Sequence, residues 1–95
     1  MESKIQLSHP AGKKAVSMEK QKFNLLKKTL LKQLKIKGDL THKELLQSVK
    51  EEFDKNKTEF TGSIEWHMEW VKLDLEARKQ IKRIGDKASL KFTLA

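Results

Sequence analysis

The stretch Ile64–Arg83, IEWHMEWVKLDLEARKQIKR, decides the fold. At 3.6 residues per turn it carries two apolar stripes. Ile64, Met68, Val71 and Leu75 form one. Trp66, Trp70, Leu73 and Ala77 form the other, turned from the first by roughly 200°. A helix apolar on both sides must be covered on both sides. The aliphatic stripe suits an ordinary core. What lies on the Trp stripe bears on function.

Beyond this helix the period changes. Leu90, Phe92 and Leu94 alternate with Lys91 and Thr93, which predicts a half-buried strand. Ile81–Ile84 is its expected partner, with Gly85-Asp86-Lys87 as the turn. Upstream, Thr41-His42-Lys43-Glu44 reads as a capping box, with Thr41 accepting from the Glu44 amide. The helix it opens runs to about Phe53, with Leu45, Leu46, Val49 and Phe53 inward. Ser63, or alternatively Thr61, caps the third helix. The first helix is expected from Met18 to about Leu34, with Ser17 as N-cap and Phe23, Leu26, Leu30 and Leu34 on its core face. Lys37-Gly38-Asp39 breaks it, and Leu40 begins a short strand.

Residues 1–16 read as an arm packed on a single domain of residues 17–95. Ile5 and Leu7 alternate with polar residues, and HPAGKK (His9–Lys14) is turn-like. AGKKA lacks the first Gly and the following Ser/Thr of a phosphate loop. The expected class is mainly α with a small antiparallel β-hairpin (α+β). The expected core is Phe23, Leu26, Leu30, Leu45, Leu46, Val49, Val71, Leu75, Ile81 and Phe92.

Composition narrows the function classes. Ninety-five residues make one small domain. No apolar run approaches the ~18 residues of a membrane span, and the N-terminus has no secretory h-region. The chain has no cysteine, which removes disulfides and thiolate metal sites and fits a cytoplasmic setting. The net charge of +8 is segregated. Residues 1–37 hold ten Lys against two Glu, residues 38–77 five Lys against ten acids, and residues 78–95 six basic residues against one Asp. The basic ends suit an anionic partner, and the acidic middle limits which part could touch one.

Three helices and a hairpin form the winged-helix order. LEARKQIKR (Leu75–Arg83) resembles the junction between recognition helix and wing in bacterial winged-helix regulators, where Gly is usual at the position of Lys79. Lys fits a left-handed C-cap less well than Gly. HPAGKK, the first helix and VKLDLEAR (Val71–Arg78) are similar to a small bacterial family of stand-alone winged-helix proteins with no assigned function. Gly62, Trp66, Val71, Leu73, Asp74, Leu75, Glu76 and Ala77 match its pattern. The resemblance implies a winged helix in a cytoplasmic setting and no established ligand.

The residues offer little for catalysis. His9, His42 and His67 lie on three different elements, none at metal-ligand spacing with another His. Glu65, Glu69 and Glu76 share a helical face, where carboxylates are expected solvated or salt-bridged. We expect no enzyme activity, no cofactor and no metal. Two partner classes remain. Duplex DNA would be held with little specificity by Lys82, Arg83, Lys87 and Lys91 of the wing, with Lys13 and Lys14 of the arm. Sequence reading by the third helix is disfavoured, because Ser63, Glu65, His67 and Glu69 stand where Arg, Lys, Asn or Gln are favoured. Alternatively Trp66 and Trp70, one turn apart, anchor an interface with a second copy or a foreign protein, unless the arm covers them.

Overall fold

Three helices and two antiparallel strand pairs make up the computed structural model, which describes residues 4–85 and 90–95. In chain order these are β1 (Lys4–Gln6), β2 (Ser17–Glu19), α1 (Lys20–Lys37), α2 (His42–Lys55), α3 (Ile64–Ala77), β3 (Ile81–Ile84) and β4 (Lys91–Leu94). The fold is α+β. Strand β1 pairs with β2, and β3 pairs with β4 in the register Ile81–Leu94, Lys82–Thr93, Arg83–Phe92, Ile84–Lys91. Leu40, in the turn between α1 and α2, makes a two-way backbone bridge to Phe92 and so ties that turn to the hairpin. The predicted Gly85-Asp86-Lys87 turn falls largely outside the described residues, as does the candidate Lys87.

Local sequence explains most boundaries. The Thr41–Glu44 capping box forms in both directions and starts α2. The Ser63 hydroxyl, not Thr61, accepts from the Trp66 amide and starts α3. Gly38, at φ +83°, ends α1 and donates its amide to the Leu34 carbonyl. At the other end of α1 the expectation fails. The helix begins at Lys20, and Ser17 is no cap, because Ser17-Met18-Glu19 is a strand. Met18 faces Ile5 across the pair and is buried. Burying that thioether against the core outweighs the local preference for one more helical turn.

The core joins all the elements. Phe23, Leu26, Leu30 and Leu34 of α1 meet Leu45, Val49 and Phe53 of α2 and Met68, Val71 and Leu75 of α3, with Ile81 and Phe92 from the hairpin. Leu46 is half-buried at the margin rather than central. The arm contributes Leu7 and β2 contributes Met18, both buried. Among the described residues no helix is long and apolar enough to cross a membrane.

Candidate functional site

Beside its core stripe, α3 is met by the arm and β2 at two places. At its first turn, Lys4, Ser17, Met18, Glu19 and Lys22 surround a shallow depression with Trp66 and His67. Two turns on, the Asp74 carboxylate, wholly buried, accepts the Ser8 backbone N–H (2.8 Å) through Oδ1 and the Arg78 guanidinium (2.8 Å) through Oδ2. A buried carboxylate needs such partners. Asp74 is therefore the pin that fixes the arm on α3. Within the arm, the Gln6 side-chain amide donates to the Ala15 carbonyl (2.8 Å), and the Leu7 amide to that of Val16 (3.1 Å), closing the hairpin behind the pin.

The Trp stripe is only partly covered. Trp70 is half-buried against the core, while Trp66 remains 46% exposed. The two rings meet edge-on at 6.5 Å, and Trp66 meets His67 edge-on at 4.9 Å. His67 in turn packs on Phe60, which stacks on Phe53 of the core. A chain of rings thus links the exposed indole to the interior and holds it in place. Gly62, at φ +88°, lets the loop approach His67, whose Cε1 would lie 3.2 Å from any Cβ built there. The His67 Nδ1 lies 2.7 Å from the Ser63 carbonyl, so it carries the proton and donates.

A polar cluster forms where α2, α3 and the hairpin meet. Lys72 has a side chain only 3% exposed. Its ammonium lies 2.8 Å from His42 Nδ1, 3.5 Å from Glu69 and over the face of Phe92. Burial pushes its pKa below the usual lysine value, and Glu69 opposes that shift. His42 also reaches Glu65 through Nε2 (3.1 Å), with Glu69 3.4 Å from Nδ1. Of the two states expected for these acids, solvated or salt-bridged, the paired one is found, for Glu65 and Glu69 here and for Glu76 with Arg83. Among the described residues no group of acids and histidines could hold a metal ion.

The hairpin separates its cations by face. Side chains alternate along a strand, so Ile81 and Arg83 share one face with Phe92 and Leu94. Arg83 is spent there, bonded to Glu76 (2.8 Å) and lying over the Phe92 ring. Lys82 and Lys91 are exposed on the opposite face, diagonal neighbours across the pair. Lys13 and Lys14 are exposed on the arm. No hydrogen bond or ion pair among the described residues links them to the hairpin.

Lys72 and Asp74 are the residues that sequence reasoning missed. Both flank the aliphatic stripe, and Asp74 with Arg78 four residues on was the one local signal of a buried pair. No local pattern could have joined His42 to Lys72, thirty residues away. Residues 4–92 match the model of a family of unknown function (DUF6958), and the chain belongs to that family. No curated protein and no solved structure matches the chain.

Proposed function

We propose that this member of DUF6958 is a winged-helix domain without enzymatic activity that works by association with a second copy of itself, anchored on Trp66. The winged-helix assignment is supported by the order of three helices and a hairpin and by the Leu40–Phe92 bridge. The association is carried by one observation, the exposed Trp66 indole held edge-on by Trp70 and His67. An aromatic side chain fixed before binding loses little freedom on association, and Trp is enriched at the energetic centres of interfaces. Both signs of charge lie beside it: Glu19 on one hand, Lys4 and Lys22 on the other. Such a patch can meet its own copy across a two-fold axis.

Solution mass across a concentration series tests this. We expect reversible dimerisation that Trp66→Ala weakens roughly 30-fold, the loss typical of a central anchor. A chain that stays monomeric up to near-millimolar concentration rejects the second-copy partner.

A second reading, weakly specific binding of duplex DNA, is favoured by the shared outward face of Lys82 and Lys91. It uses the hairpin and not α3, whose exposed side presents Glu65, Trp66 and Glu69. Binding should be strongest near ~50 mM salt, and Lys82→Ala with Lys91→Ala should flatten its salt dependence. No binding at that ionic strength removes this reading.

A further inference from the structure

The buried Lys72 ammonium keeps its bond to the His42 imidazole in only one of the protonation states of that ring. An ammonium has three donors and no acceptor, so His42 Nδ1, 2.8 Å from the Lys72 ammonium, must accept. The ring proton then sits on Nε2 and is donated to Glu65 Oε2 at 3.1 Å. Protonation at Nδ1 removes that acceptor from Lys72. The new N–H has a recipient already in place, Glu69 Oε2 at 3.4 Å, whose other oxygen lies 3.5 Å from the same ammonium. Lys72 is buried, so it cannot replace the lost acceptor with bulk water.

We propose that His42 is a proton-operated switch between α2 and α3: neutral, it holds the buried Lys72 ammonium; protonated, it releases Lys72 and turns its Nδ1–H to Glu69. The proton comes from solvent, which reaches the half-exposed imidazole. The charged groups around the pair are few. From α3 come Glu65, Glu69 and Glu76, the last engaged with Arg83 of β3. On α2, Glu44 is turned into its capping box and lies near Lys91 of β4. From β4, Phe92 offers Lys72 its ring face. Release of Lys72 leaves it Glu69 and that ring, so α2 exchanges its bond to the buried ammonium for charge-assisted bonds to Glu65 and Glu69 of α3, while the apolar core stays intact. The switch stands whether or not Trp66 anchors a dimer.

Imidazole nitrogen NMR of the full chain, followed from pH 8 down to about pH 5, tests it. The three histidines serve as mutual controls. In the neutral form His42 should be the Nε2–H tautomer. His9, whose Nδ1 accepts the Ala11 amide, should match it. His67 should be the Nδ1–H tautomer. The Lys72 side-chain Cε resonance should shift in step with His42 as the pH falls, and that step should vanish in His42→Gln. Glu69→Ala, which alters a half-exposed residue and spares the core, should leave protonated His42 without its recipient and separate the two responses. An Nδ1–H tautomer at His42, or a Lys72 response unchanged in His42→Gln, overturns the switch.

Discussion

Lys79 sits in the left-handed region at φ +61°, at the C-terminal end of α3. The reason is geometric. The Gln80 amide reaches back to the Leu75 carbonyl and the Lys79 amide to that of Glu76, which closes the helix and requires positive φ between them. A Cβ in that region costs energy that glycine does not incur. Lys79→Gly should therefore stabilise the chain by about 1 kcal/mol, read as a higher urea midpoint at unchanged slope. A fall in midpoint would show that the lysine side chain compensates for its backbone. The opposite sign is expected at Asp74. Asp74→Ala removes the acceptor of the Ser8 amide and the partner of Arg78. Loss of a hydrogen bond to a charged acceptor costs about 1.5–3 kcal/mol, and the loss should be seen in thermal or urea unfolding. It should also raise hydrogen exchange at the Ser8 amide before it affects α3, since the arm is what Asp74 holds.

At the scale of elements, legibility follows the range of the interaction. The Thr41–Glu44 box, the Ser63 cap and the alternation of β4 are set within a few residues, and the sequence patterns name them correctly. Strand β2 is not set locally. Ser17-Met18-Glu19 looks like a helix start until Lys4–Gln6 lies beside it, a pairing no period reveals. The candidate site divides the same way. Trp66 stands out by its position on the second stripe. The buried state of Lys72 depends on His42 from α2 and Phe92 from β4, so a lysine that any helical wheel would leave in water is enclosed. That enclosure has a measurable consequence. Burial lowers the Lys72 pKa in the folded state, with Glu69 opposing. Between the lowered value and the ordinary 10.5, the unfolded chain binds more protons than the folded one, so stability rises with pH across that window. Below the window both states are charged and the cost of burial is at its full value; above it neither is charged and the cost is gone. Urea titrations on the alkaline side, up to pH 10.5, should thus show the wild-type chain gaining on Lys72→Met as the pH rises. Parallel curves would mean that Lys72 keeps its proton equally in both states.

On the scale of the whole molecule, the arm is part of the domain rather than an appendage to it. Leu7 belongs to the same core cluster as the helices, β1 is the strand partner of β2 among the described residues, and Ser8 is bonded to the C-terminal half of α3. Deleting residues 1–16 removes three supports at once. Truncation of one buried leucine alone costs about 2–5 kcal/mol. Loss of a hydrogen bond to a charged acceptor adds about 1.5–3 kcal/mol. Met18 and the aliphatic edge of α1 are then exposed to water as well. Small domains have only about 5–15 kcal/mol of stability in total, so the deletion takes a large share of it. The truncated chain should lose its cooperative urea transition or show a markedly lower midpoint. The point variant Leu7→Ala, with the arm otherwise intact, should fall between it and the wild type. Tryptophan emission separates this outcome from mere trimming of a surface strap. Trp70 is half-buried against the core and Trp66 is partly covered beside Lys4, so a red shift on deletion reports solvent reaching the covered part of either ring. If the truncated chain keeps both the midpoint and the emission of the full chain, the helices and hairpin are self-sufficient, and the buried contacts of Leu7 and Ser8 contribute little to the fold.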